Sequence, residues 1–478
     1  MADPTGRTGQ VTLLVEVSDS DGADTIESLS VTQEFNFQHP DHADEVIERT
    51  GLVPASVEDI GPGMTAARFD DPRFDFIFKA DKQIAEYIST NPLSPIEITQ
   101  ITAGIFEVSF SSEWPGRFPL HLTATDTDGN TTTSRVPVEV YWRENPWERR
   151  GVAIDTLWDG SSNRPNLALL PAAVDVIGAL NANTVMLTVI GTMESADSTE
   201  VVHCYDQPTA MQWCATPTAA EIGRFIDRAH DGGLQVLLWP ILIADAEEQL
   251  ELWQLQLSDW DTFFESYSSW ILEYAETAEV HGAEAAFVTG GGGRLLSEHQ
   301  DDFARLIASM REIYTGEIIA TDFWSWEGPF PSDFSDAYPT FFGDLDVIGH
   351  PIFYPAAEVV DPSPWEMHEY LGVGTLEGIA RPLWPTFGKP LLFTELGTWN
   401  IDGSAMGPST TWTRVTNPQK DNQEQLDYTE AGLKSVVETP GQQGVIIWAQ
   451  RITDELLDLD WFPEDAPVRE LVRIWFAD

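Results

Sequence analysis

Residues 216–240, TPTAAEIGRFIDRAHDGGLQVLLWP, decide the fold. The first part carries apolar residues at helical spacing and closes on Gly232-Gly233, a helix-ending signal. The second part opens QVLLWPIL, a short, nearly continuous apolar run of the kind found in parallel strands covered on both faces. The same alternation fills the chain from Gly151 onward. Further strand candidates are GVAIDTLW, TVMLTVIG, AAFVTG, EIIATDFW, LDVIGHPIFY, PLLFTELG and GVIIWAQ. Helical stretches such as LALLPAAVDVIGALNA, FFESYSSWILEYAETAEVHG, HQDDFARLIASMREIYTG and QEQLDYTEAGLKSVVET lie between them. Eight strands alternating with helices predict an α/β fold, a (β/α)8 TIM barrel over residues 151–478, with any active site at the carboxyl ends of its strands.

Upstream the periodicity changes. VTLLVEVSD, IFEVSFSS, RFPLHLTATDTDGN and TTSRVPVEVYW alternate apolar and polar residues over strand lengths, and DTDGN is a hairpin signal. Residues 1–143 therefore predict an all-β, immunoglobulin-like sandwich with one helix-like insertion around DKQIAEYIST (81–90). Residues 144–150 form a linker. No catalytic constellation shows in this half. The sequon at Asn130 is a weak motif.

The formal charge of −53 narrows the class further. Acidic residues are spread over the whole length among aromatics, which argues against a disordered tail. Lysine stands only at 79, 82, 389, 420 and 434. Such self-repulsion is tolerated best where salt screens it, so the composition predicts an extracellular or cell-surface protein of a high-salt organism. It leaves no basic face for nucleic acid. No apolar run is long enough for a transmembrane helix, and MADPTGRTGQ does not read as a signal peptide. The two cysteines, Cys204 and Cys214, sit in the turn-rich HCYDQPTAMQWCATP and are expected to form a disulfide. His203 and Asp206 are too few to make a metal site there, and neither metal nor cofactor is expected.

The strand ends supply the chemistry. They carry Asp155 and Trp158, Glu194, Trp239, Asp322 with Trp324 and Trp326, His350 and Tyr354, Glu395 and Trp399, and Trp448. Sugar C–H faces stack on aromatic rings while carboxylates accept hydroxyl hydrogen bonds, so this set predicts a polysaccharide cleft. A single tryptophan more often packs a helix on a strand. The concentration at one end of the barrel favours the cleft.

KPLLFTELGTWN, TPTAAEIGRFIDRAHDGGLQVLLWP, LDVIGHPIFYP, MREIYTGEIIATDFW and GVIIWAQ resemble glycoside hydrolase family 113, β-mannanase-like barrels of clan A, over about residues 150–460. The resemblance implies a retaining glycosidase acting on a mannan-like β-linked polysaccharide, with Glu395 of FTELG as nucleophile at the end of strand seven. It also implies a general acid/base glutamate at the end of strand four. There this chain reads VTGGGGRLL, with Gly290 to Gly293 where that residue is expected and Gly292 or a neighbour in its place. Glycine neither attacks nor protonates. Either the chain has lost double-carboxylate chemistry, or Glu298, Glu327 or Asp322 supplies the acid from elsewhere. The alternative function is a non-catalytic glycan-binding or structural surface or assembly protein on a degenerate glycosidase barrel, with self-assembly or a surface partner. A third reading, a non-hydrolytic barrel enzyme with a metal, is disfavoured because no ligand spacing such as HxxxH appears, and phosphate chemistry is poorly supported because no Lys-Ser/Thr follows the glycines.

Overall fold

The computed structural model describes residues 7–18, 25–37, 54–61, 64–69, 75–80, 84–94, 96–156, 166–206, 216–244, 250–289, 293, 295–321, 338–358, 362–372, 381–408, 418–452, 460, 462–463 and 466–478. The N-terminal strands are β1 (Val11–Glu16), β2 (Ile26–Phe37), β3 (Pro54–Gly61), β4 (Met64–Phe69), β5 (Asp75–Ala80), β6 (Glu97–Thr102), β7 (Ile105–Phe110), β8 (Gly116–Asp126) and β9 (Thr131–Val140). They form two sheets, β1-β7-β6 and β3-β4-β5-β2-β8-β9. Every neighbouring pair is antiparallel except β2 and β5. Alternating residues such as Val31, Val108, Phe110, Phe118 and Leu120 turn inward to make the core between the sheets. The β8–β9 turn is held by Asp126, whose carboxylate accepts from the backbone N–H groups of Asp128 and Asn130 at 2.9 and 2.8 Å, while Gly129 takes a left-handed φ of 82°.

The second unit is a closed ring of eight parallel strands. These are β10 (Arg149–Asp155), β11 (Thr184–Met193), β13 (Gln235–Ala244), β15 (Ala285–Thr289), β16 (Glu317–Thr321), β17 (Val347–Ile352), β18 (Leu391–Leu396) and β19 (Gln442–Arg451). β19 pairs with β10 to shut the barrel. Two short strands, β12 (Val202–His203) and β14 (Leu250–Glu251), extend β11 and β13 as antiparallel partners. Each of the eight runs read from the sequence falls on one of these parallel strands.

Around the ring stand α1 (Leu170–Gly178), α2 (Ala219–Asp231), α3 (Trp260–His281), α4 (Leu295–Glu298), α5 (Gln300–Ile313), α6 (Pro364–Gly372), α7 (Arg381–Phe387), α8 (Asn422–Glu438) and α9 (Pro467–Phe476). α2 shows why the opening stretch folds as it does. Thr218 and Glu221 close a capping box, and Ile222, Phe225, Ile226 and Ala229 face the strands. Gly233 at φ 77° turns the chain into β13. No described helix is long and apolar enough to cross a membrane.

The helix expected over 81–90 is not there. Residues 81–83 lie outside the described residues, and 84–94 form an irregular strap. Ile84 and the unbroken run Tyr87, Ile88, Ser89, Thr90 and Asn91 are buried, with only Ala85 exposed and Glu86 half-buried, a pattern without the periodic solvent face of an amphipathic helix. Gln33 of β2 fixes the strap, donating to the Asn91 carbonyl at 2.8 Å and accepting from the Leu93 N–H at 2.9 Å. The N-terminal region and the barrel also meet at α9. The Trp114 ring stacks on Trp475 with centroids 5.8 Å apart, Trp142 Nε1 donates to the Trp475 carbonyl at 2.9 Å, and Arg117 pairs with Glu470 at 2.5 Å.

Candidate active site

The lumen is filled by side chains from alternate strand positions, among them Met186, Leu237, Phe287, Ile319, Leu392 and Ile446. Trp239 of β13 and Trp448 of β19 belong to the same packed column. Their rings meet edge to face, 5.5 Å between centroids at 83°. Both are buried, so they form a wall of the site and not loose platforms. Trp239 Nε1 finds no hydrogen-bond partner among the described residues, nor do Thr321 Oγ1, Thr394 Oγ1 and His350 Nδ1. Buried polar atoms in this state are ordinarily completed by water.

Glu395 is the next-to-last residue of β18 and is 6% exposed. In register it lies beside Pro351 of β17, one residue after His350 and three before Tyr354. On its other side, Leu396 is level with Ile447, the neighbour of Trp448. Glu395, His350 and Trp448 therefore lie on three adjacent strands, with Tyr354 two residues past the end of β17. His350 Nε2 and the Tyr354 hydroxyl are hydrogen-bonded, with the rings nearly parallel at 14°. Burial drives the His350 pKa down to about 3, so its imidazole is neutral at ordinary pH. Tyr428 of α8 fixes this corner from behind, donating to the carbonyls of Ile352 and Tyr354 at 3.1 Å each.

Two glycines let these strands close up. At Gly349 a side chain would begin 3.0 Å from Thr394 Cγ2 and 3.1 Å from Thr321 Oγ1. At Gly397 it would meet the Trp448 carbonyl oxygen at 2.5 Å. The Gly after Leu396 is thus a steric requirement of the β18–β19 approach.

Beyond β18 the chain makes a tight loop, 397–408. Trp399 is buried and carries the Arg451 guanidinium 5.2 Å from its ring centroid. Arg451 is the register partner of Asp155 at the end of β10, and pairs with Asp460 at 3.1 Å. Arg451 is a site residue the sequence reading passed over; its signal was a lone basic residue directly after the WAQ of the last strand. Glu424 of α8 accepts from the Gly403 and Ala405 N–H groups at 2.6 and 2.7 Å. Burial pushes its pKa up to about 8, against the backbone donors and aided by Asp421 and Asp402. Asp402, Asp421 and Glu424 bring carboxylate oxygens within 4.8 Å of one another, the only such set among the described residues. Glu424 is already committed to the loop backbone.

Of the other expected site residues, Asp155 is buried at the end of β10 and Glu194 is exposed just past β11. Trp158, Asp322, Trp324, Trp326 and Glu327 lie outside the described residues, as do Gly290, Gly291 and Gly292. Gly293 is described and has φ 48°, a left-handed backbone suited to glycine. Glu298 is exposed on α4. Cys204 is buried and disulfide-bonded; Cys214 lies outside the described residues.

The family model of glycoside hydrolase family 113 matches residues 170–455. Among solved structures, the GH113 β-mannanase AaManA from Alicyclobacillus acidocaldarius, in complex with ManMIm, is 19% identical with a TM-score of 0.55, over 69% of this chain and 96% of its own. A GH113 β-1,4-mannanase is 20% identical with a TM-score of 0.52, over 69% of this chain and 99% of its own, and a complex structure of a GH113 β-1,4-mannanase gives 19% and 0.52 over 69% and 98%. These structures share the barrel fold. No curated protein matches the chain. With the family model spanning the barrel from α1 to the last strand, the chain belongs to glycoside hydrolase family 113.

Proposed function

We propose that the barrel binds a mannan-like β-linked polysaccharide at its carboxyl face, that Glu395 holds the nucleophile position, and that the chain lacks the strand-four acid/base. The observation that carries the reading is one buried glutamate at the end of β18, set against a sequence with no carboxylate between Glu284 and Glu298. A retaining glycosidase uses two carboxyl groups about 5 to 5.5 Å apart. Without the second, the leaving oxygen goes unprotonated and hydrolysis slows by roughly 10² to 10⁴. Stacking on tryptophan and hydrogen bonding to the buried polar atoms need no acid, so saccharide binding persists. On charge grounds the same reading sets the protein outside the cell in high salt, where its partner is the polysaccharide itself.

Leaving-group chemistry tests it. 2,4-Dinitrophenolate leaves a β-mannoside without protonation, whereas the sugar alkoxide of β-1,4-mannan does not. The reading expects measurable release of dinitrophenolate, negligible mannan hydrolysis and retained binding of β-1,4-mannohexaose. Robust mannan hydrolysis by the unaltered chain would overturn the loss of the acid. Its disappearance in Glu298→Gln or Glu327→Gln would then identify the replacement.

A further inference from the structure

Residues 422–436 of α8 are buried without a break, although the sequence NQEQLDYTEAGLKSV is mostly polar. A barrel helix ordinarily shows one face to water. Here α6 covers part of that face, and the strap 84–94 from the N-terminal region reaches another part. Asn91 Nδ2 donates to Glu430 at 2.6 Å, and Glu430 also pairs with Lys434 at 3.3 Å. Tyr87 points its hydroxyl at the same carboxylate from 3.5 Å. At the first turn of α8, Asn422 Nδ2 donates to the Ile84 carbonyl at 3.3 Å.

The same Asn422 faces the active site with its other atom. Its Oδ1 accepts from Asn400 Nδ2 at 3.3 Å, and the Asn400 carbonyl accepts from the Asp421 N–H at 2.9 Å. Gln425, one turn on, donates to the Thr398 carbonyl at 2.8 Å. With Glu424 on Gly403 and Ala405, the first turn of α8 holds the loop after β18 at Thr398, Asn400, Gly403 and Ala405, on both sides of Trp399. One asparagine side chain thus links the N-terminal strap to the loop that follows Glu395.

Resting on the polysaccharide reading above, we propose that the strap is a positioning element of the saccharide site. Through Asn91–Glu430 and Ile84–Asn422–Asn400 it sets α8, and α8 sets the Trp399 loop. The N-terminal region then serves the cleft from behind, not as a separate sugar-binding module. Asn422→Asp separates the two halves of the link, because a carboxylate still accepts from Asn400 but repels the Ile84 carbonyl. Asn91→Ala removes the strap's hold on Glu430.

The test uses the full chain. Backbone hydrogen–deuterium exchange is read at 397–408, with β11 as internal reference, together with titration of β-1,4-mannohexaose. In both variants exchange at 397–408 is expected to rise about tenfold while β11 is unchanged, since the loop opens locally. Affinity is expected to fall by about three- to tenfold. Unchanged exchange at 397–408 overturns the proposal. So does an equal rise in β11, which would mean general destabilisation. If the unaltered chain binds no mannohexaose, the polysaccharide reading fails, and the exchange data still decide whether strap and loop are coupled.

Discussion

Glu395 and Trp448 occupy adjoining strands but contribute differently to a bound sugar. On the proposed reading Glu395 is the nucleophile toward an anomeric carbon, whereas Trp448 presents a face organised by its edge-on contact with Trp239. Glu395→Gln keeps the shape of the site, so mannohexaose affinity is expected to change by less than about threefold. Trp448→Ala removes the stacking face and part of the lumen wall, and affinity should fall about tenfold. Isothermal titration of both variants decides; the reverse order of effects contradicts the assignment. The positions of Glu395 and Trp448 on β18 and β19 were legible in the sequence because each lies in a short apolar run. Arg451 was not. Its placement over Trp399 depends on the register of β18 against β19, which shifts between Phe393 and Leu396, and no local pattern announces that shift.

At the level of elements, α8 and its loop carry a titratable restraint. Glu424 is held protonated by burial, with a pKa of about 8 against an ordinary value of 4.5. A folded-state pKa above the unfolded one gives stability that is complete below about pH 4.5 and lost as pH rises through about 8. Melting temperature should therefore fall as pH rises from about 4.5 to 8 and level off above that. Glu424→Gln keeps an acceptor for the Gly403 and Ala405 amides and should flatten that dependence; an unchanged slope would show that another group sets it. Glu34 works in the other direction. Burial opposes its charge, but hydrogen bonds from His121 and Arg135 hold its pKa down at about 2, so its contribution is lost as pH falls from about 4.5 toward 2. The barrel strands could be read from sequence because strands covered on both faces are continuous apolar runs. The strap could not. Ile84, Tyr87 and Ile88 have helical spacing, yet they are buried together with the residues between Tyr87 and Asn91, and tertiary burial overrides local preference. The parallel β2–β5 pairing was equally invisible, since it joins strands across two intervening ones.

For the whole molecule, the charge of −53 and the two joined units set the expectations. At molar ionic strength the screening length is about 3 Å, which removes repulsion between all but touching charges. The melting temperature should rise by about 10 °C or more between roughly 0.1 and 2 M KCl; a flat profile contradicts salt adaptation. The central claim is narrower: a family 113 barrel that keeps its nucleophile at Glu395 while glycines stand at the strand-four position. The direct measurement is the intact mass, and then the peptide map, of the protein incubated with 2-deoxy-2-fluoro-β-mannobiosyl fluoride. Fluoride leaves without a general acid, and the 2-fluorine slows release of the glycosyl-enzyme. The account predicts one mannobiosyl adduct, on the peptide containing Glu395. No adduct, or an adduct on another carboxylate, would contradict it.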